Sequence, residues 1–340
     1  MNPRVVRGIV ALAVLVIVGI ALRLFIGPSG DGSALAFGVP GAGVVQLRLG
    51  AIASAIVAGG ALGLSGMLLQ ALLRNPLAAP FTLGVSAGAG LASTLAAWAC
   101  MTSGPLAAVA GPLLVGGDGV VPGAIGAIAI LGIVAMLGRR DGRLDPLTLI
   151  LAGTVLATIC GALTLLVQSL MPPSSRGDSW LWFMGQVPEL PHVTLLVVSA
   201  GAVVTIALLS VRLGDDLDAA STSDDEAESL GVPLARLRVV LFTCAGTLAA
   251  MAVSLCGPIA FVGFVGPHLG RMLLGGSHRA LAVASPLAGA AILVWADSIR
   301  QGIDLGAGRL PIGVLTALLG GPVFLVVLRS SRIRSGGWGC

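Results

Sequence analysis

Residues 239–270 read VVLFTCAGTLAAMAVSLCGPIAFVGFVGPHLG, 32 consecutive positions without Asp, Glu, Lys or Arg. A helix crosses the hydrocarbon layer of a bilayer with about 20 apolar residues. This stretch is too apolar for a soluble surface and too long for one ordinary span. Proline lacks a backbone donor and breaks helices, so Gly257-Pro258 divides it into spans near 238–256 and 259–274. Working outward, long uncharged runs predict eight more, near 8–26, 51–72, 82–101, 119–138, 147–170, 191–211, 280–299 and 311–328. Glycine and proline punctuate Gly104-Pro105, Gly111-Pro112 and Pro122-Gly123, so boundaries around 102–138 are loosely set.

Composition agrees. Of 340 residues, 56% are hydrophobic and only 10% charged, against about 25% charged in soluble domains. Mean hydropathy is +1.03. Ten spans occupy about 200 residues. The remainder serves as connections, and residues 1–340 read as one all-α, polytopic transmembrane domain. All 19 basic residues are Arg, because the sequence has no Lys. That excludes a P-loop, whose lysine reaches the phosphates, and Schiff-base chemistry on lysine. Loop charge bias, not a nucleic-acid footprint, accounts for the net +4. With the N-terminus inside, 14 arginines fall at cytoplasmic ends and five at outer ends: Arg23, Arg48, Arg176, Arg300 and Arg309. The positive-inside rule then puts both termini in the cytoplasm. Ala34-Leu35-Ala36 has the pattern of a signal-peptidase site, but it lies well beyond the apolar run, and an uncleaved first span is expected. Fifty glycines suit close helix packing; some could instead mark broken helices along a path.

The longest polar segment runs from Arg212 to Arg238 and carries Asp215, Asp216, Asp218, Asp224, Asp225, Glu226 and Glu228. Ser223 with Glu226 has capping-box spacing, and Gly231 followed by Pro233 supplies a stop. This predicts a short amphipathic helix ended by a sharp turn. Either it is a solvated acidic face or it docks a cytoplasmic partner.

Several stretches then carry a resemblance. They are Arg48-Leu49, Leu62 to Ala78 (LGLSGMLLQALLRNPLA), Leu83 to Ala89 (LGVSAGA), Leu149-Ile150-Leu151-Ala152-Gly153, Trp182-Phe183-Met184-Gly185, Glu226 to Val232 (EAESLGV), Gly257 to Arg271 (GPIAFVGFVGPHLGR), Ala296-Asp297 and Leu310 to Val314 (LPIGV). In this order the chain resembles, from about 46 to 328, the permease subunit of the iron-complex and cobalamin class of ATP-binding-cassette importers, the type II fold.

The resemblance implies a homodimer in the bacterial inner membrane, surrounded by lipid, with two ATPase subunits and a periplasmic binding protein as partners and no resident cofactor. Its coupling loop corresponds to about 213–236. Glu226, Gly231, Arg236, His268 and Arg271 become candidates for ATPase coupling. Asn75-Pro76-Leu77 and Asp145-Pro146-Leu147 match the cytoplasmic gate. Gln70, Ser86, Thr154 and Thr158 are polar candidates for the translocation path, although hydrogen bonds between helices would use them equally well. Arg48 and Arg300 match positions that grip acidic residues of the binding protein; the plain alternative is that they anchor helix ends by snorkelling. Gly50 and Ala51 stand where the family has Pro and another Arg, and Arg309 stands before Leu310-Pro311 where the family often has Glu. Arg309 is expected to replace the missing charge. The cargo implied is a ferric siderophore, haem or related chelate, with cobalamin as the alternative.

Other constellations point elsewhere. His192, His268 and His278 fall at different helix ends, so no shared metal site is expected. Cys100, Cys160, Cys244, Cys256 and Cys340 lack paired spacing and read as small apolar residues. Asp297 lies inside an apolar span, where a charge costs about 2.5–3.5 kcal/mol on insertion scales, so it needs a partner. Arg300, three positions on, shares its helix face. An ion-coupled secondary transporter would require a relay of such carboxylates, and the chain offers essentially one.

Overall fold

The computed structural model describes residues 3–28, 35–37, 41–101, 120–140, 143–172, 183–303 and 310–335. Among these residues, helices occupy every interval expected from hydropathy. They are α1 (Pro3–Phe25), α2 (Ala42–Leu72), α3 (Val85–Met101), α4 (Val120–Leu137), α5 (Pro146–Leu170), α6 (Val193–Arg212), α9 (Leu234–Cys256), α10 (Val262–Leu274), α11 (His278–Gln301) and α12 (Ile312–Ser335). Two short helices, α7 (Gly214–Thr222) and α8 (Asp224–Ser229), fill the polar segment where one was expected. Six helices (α1, α2, α5, α6, α9 and α11) are long and apolar enough to cross a membrane. Two small antiparallel pairs complete the fold: Ile26–Pro28 with Leu35–Phe37, and Arg139–Arg140 with Arg143–Leu144.

Burial sorts the helices. In α2, 83% of the apolar window is buried, and in α9 and α11 67%; in α1 and α5 it is 22%, and in α6 11%. The core is therefore α2 wrapped by α9 and α11, with α1, α5 and α6 turning apolar side chains outward. Small residues permit this packing. A Cβ on Gly59 or Gly63 would strike the Gly289 or Ser285 carbonyl of α11, and one on Gly66 would strike the Gly263 carbonyl of α10.

Gly257 ends α9 at φ +69, and Phe261 precedes α10 at φ +65. Between them the chain is non-helical, as the Gly-Pro pair predicted. With 13 residues, α10 rises only about 20 Å, less than a full span. Neighbouring backbone satisfies the break: Gln186 N donates to Cys256 O at 2.8 Å, and Ile312 and Gly313 donate to Gly185 O and Met184 O at 3.2 and 3.0 Å. The described part of the Trp182 to Gly185 motif thus ties the end of α9 to the start of α12.

Candidate functional site

The polar segment builds its own architecture. Ser223 Oγ accepts from Glu226 N at 3.0 Å, capping α8. At the other end Gly231 has φ +81, its N–H donates to Glu228 O, and Val232 N donates to Ala227 O, each at 3.0 Å. This is a Schellman stop, with a glycine where left-handed backbone is required. Ala227 and Val232 are buried and anchor the unit. Leu230 is 67% exposed, beside the exposed Glu226, Gly231 and Arg236.

Four of the acidic residues are ion-paired yet 41–74% exposed at their side chains, a solvated face held in place by ion pairs. Asp215 meets Arg279 at 2.7 Å, Asp218 meets His278 Nδ1 at 2.5 Å, and Glu228 meets Arg143 at 2.8 Å. Asp218 also accepts from His278 N at 2.9 Å, placing a carboxylate at the N-terminus of α11, where the helix dipole favours it. Asp224 lies 2.5 Å from Arg74 and 2.8 Å from Arg238. Burial alone would raise its carboxyl, but hydrogen bonds and charge from Arg238 and Arg74 hold it below the usual carboxylate range.

Both expected gate turns sit against this unit. Arg74 takes a left-handed φ of +46, and its Nε donates to Ala220 O at 2.7 Å. Asn75 follows, its side-chain oxygen accepting from Leu77 N at 2.9 Å, which closes the Asn75-Pro76-Leu77 turn. Asp145 caps α5, accepting from Thr148 N at 2.8 Å and Thr148 Oγ1 at 2.6 Å. The Thr148 hydroxyl and then its N–H draw the Asp145 carboxyl below its ordinary range. Pro146 follows at the favoured N-terminal position, and Leu147 is 65% exposed. Arg238 Nη1 donates to Leu144 O at 3.4 Å, next to that turn.

The path candidates divide. Gln70 is 3% exposed; its amide donates to Ala78 O at 3.3 Å, and its oxygen accepts from Arg271. It fastens α2 to α10 inside the chain instead of lining an opening, and it engages the half-buried Arg271. His268 stacks on Phe264 at 6.3 Å, a packing position. Ser86 is 9% exposed, in a small cleft with Leu62, Pro80, Phe81 and Phe261. Thr154 and Thr158 are exposed on α5, their hydroxyls donating to Ile150 O and Thr154 O.

At the opposite end the three described arginines, Arg23, Arg48 and Arg300, are spent internally. Asp297, fully buried, lies 2.6 Å from Arg23 and 2.8 Å from Arg300. The expected Asp297–Arg300 pair is present; Arg23, 274 residues away along the chain, went unforeseen. Arg48 is 5% exposed and Arg300 6%, with Arg48 Nη1 donating to Leu24 O at 2.5 Å. This corrects the expectation that both face a binding protein: each guanidinium is enclosed and occupied. Arg309 lies outside the described residues. Cys100 is exposed, not packed, whereas Cys160 and Cys256 are buried; Cys340 is outside the described residues.

Known proteins fit this arrangement. The hemin transport system permease of Yersinia pestis is 34% identical over 293 residues, covering 86% of this chain and 85% of the relative. The vitamin B12 import permease of Citrobacter koseri is 34% identical over 97% of this chain and 96% of its own. The Fe(3+) dicitrate transport permease FecD of Escherichia coli is 33% identical over 85% and 86%. A solved metal-chelate type ATP-binding-cassette transporter in an inward-facing conformation superposes with a TM-score of 0.80 at 27% identity, covering 96% of this chain and 99% of that one. The sequence model of the FecCD transport family matches residues 11–330, and the chain belongs to that family.

Proposed function

We propose that this chain is the permease subunit of an ATP-binding-cassette importer that brings a ferric siderophore, haem or related metal chelate into the cytoplasm. Cobalamin, carried by one of the similar permeases, is the alternative cargo of the same fold. The observation that carries the reading is the outer face of α7–α8. It presents Glu226, an exposed Leu230 and Gly231, with Arg236 beside them at the start of α9, on a support capped at α8 by Ser223. An ATPase cleft would receive such a protrusion, and the chain's lack of lysine removes the P-loop needed to bind nucleotide itself.

In this reading the chain crosses the bacterial inner membrane ten times with both termini cytoplasmic, the non-helical residues 257–261 completing the crossing that α10 makes only in part. The ends sort by contact in support of it. Arg4 reaches Met272 O at the end of α10, on the side of Arg271, Gln70 and the paired acidic segment. Arg23 meets Asp297 and Arg300 at the other ends of α1 and α11. Two copies enclose the path, two ATPase subunits engage α7–α8, and a periplasmic binding protein delivers cargo to the outer side. Of the three arginines expected to meet it, Arg309 keeps the role. The Asn75-Pro76-Leu77 and Asp145-Pro146-Leu147 turns form the inner gate.

The experiment is uptake into proteoliposomes containing this chain and its ATPase, with the binding protein and ferric siderophore, haem or cobalamin outside. Uptake requires ATP and both partners. Uptake by the chain alone, or driven by a proton gradient without ATP, overturns the proposal.

A further inference from the structure

The cytoplasmic ion pairs converge on one carboxylate, Asp224. It opens α8, the short helix whose far end presents Leu230 and Gly231. One of its oxygens lies 2.5 Å from Arg74, and both accept from Arg238 Nη2 at 2.8 Å. Arg74 is the residue immediately before Asn75-Pro76-Leu77. Arg238 spends its other nitrogen on Leu144 O, immediately before Asp145-Pro146-Leu147. A single side chain therefore touches the supports of both turns.

These contacts differ from the neighbouring pairs on the arginine side, with Arg74 31% exposed and Asp224 itself 43%. Asp215–Arg279 and Glu228–Arg143 are exposed, with side-chain exposures of 74 and 56% and of 47 and 57%; such pairs contribute little. The Arg238 side chain is only 13% exposed, and Arg74 holds a backbone conformation that non-glycine residues avoid. Guanidiniums have several directional donors and can bridge two acceptors at once. Arg74 uses them on Asp224 and Ala220 O, Arg238 on Asp224 and Leu144 O. Displacement of α8 would move both bridges together, because they share Asp224.

We propose that Asp224 is a positioning residue that transmits movement of α8 to both gate turns, an assignment that rests on the permease reading above. It acts through Arg74 and Arg238 and touches neither cargo nor nucleotide. Its neutral isostere, D224N, keeps the shape of α8 and its Ser223 cap, so the ATPase still binds through the outer face.

The test uses the full complex in proteoliposomes, with cargo uptake and ATP hydrolysis measured together. In D224N the ATPase co-purifies and basal hydrolysis is retained, while uptake per ATP falls about tenfold, the effect of one coupling energy within a contacting network. D224E, which keeps the charge, restores much of that ratio. An assembled D224N complex with native uptake per ATP overturns the assignment while leaving the permease reading intact. A D224N chain that loses its fold also overturns it, because Asp224 is then merely structural. If the native chain binds no ATPase, the permease reading fails and this assignment fails with it.

Discussion

Asp297 is surrounded by cations, not by water. Its side chain is 1% exposed, between Arg23 at 2% and Arg300 at 7%. Taking charges out of water is costly, and the attraction within such a group offsets the cost only while every partner remains. Neutralising the carboxylate removes the ion partner of Arg300 and leaves Arg23 with the more distant Glu189 at 3.7 Å. D297N is expected to lose about 3–5 kcal/mol of stability, the usual result of removing one member of a buried pair, read as a lower unfolding midpoint in detergent. A native midpoint would show that the group is wetted. Asp145 offers a gentler case. Replacing a capping carboxylate by alanine costs about 1 kcal/mol, so D145A should unfold somewhat earlier than the native chain. The sign of its pH dependence follows from the depressed carboxyl. The cap's contribution is fully present above the unfolded carboxylate value of about 3.9 and is lost as pH falls through the lower folded value. The difference between D145A and native protein should be constant at neutral pH and close in strong acid; a gap widening in acid would exclude this origin.

Among the elements, α8 was legible and α7 was not, for a physical reason. Ser223, Glu226 and Gly231 lie within nine positions of one another, and caps act locally. The sequence Gly214–Thr222, GDDLDAAST, has no cap and few strong helix formers. Buried Leu217 and the bonds of Asp218 to His278 of α11, sixty residues on, hold it in place, a relation no local pattern reveals. The ten apolar intervals were readable because spans are long and uninterrupted, and the break at Gly257 because Gly-Pro acts on its own backbone. The candidate site was legible only where backbone chemistry determined it. The turns at Asn75-Pro76-Leu77 and Asp145-Pro146-Leu147 were readable as turns, their gate role being what the resemblance implies, but Gln70 was placed along the path because nothing local reveals its bond to Arg271. Arg48 misled in the same way, being engaged by Leu24 O of another helix, whereas Arg300 is enclosed beside Asp297 of its own helix. Gly231 provides the element's test. At φ +81, a β-branched residue costs about 1–2 kcal/mol, unwinding the stop that aims Leu230 outward. G231V should keep the membrane fold and lose ATPase co-purification; retained binding would remove α8 from the docking face.

For the whole molecule, the question is what covers the helices that turn outward. Those facing lipid need only apolar side chains, and α1 offers a continuous set from Val10 to Val18. The outward faces of α5 and α6 differ: α6 carries exposed Thr194 and Thr205, and on α5, among Leu151, Val155 and Ile159, stand Thr154 and Thr158. Their hydroxyls are satisfied by carbonyls of their own helix at 2.8 and 3.0 Å, so neither is needed to hold this chain together. Lipid tolerates such hydroxyls without requiring them, whereas a path between two copies uses them to keep its wall wettable. The two cases separate cleanly by mutation. T154L/T158L should leave the unfolding midpoint of the detergent-solubilised chain unchanged to within about 0.5 kcal/mol, as for exposed changes that touch nothing. In the reconstituted complex the same variant should lose uptake severalfold while still binding its ATPase, because the leucines dry and narrow the corridor. Native uptake from that variant would assign this face of α5 to lipid and place the path on another helix.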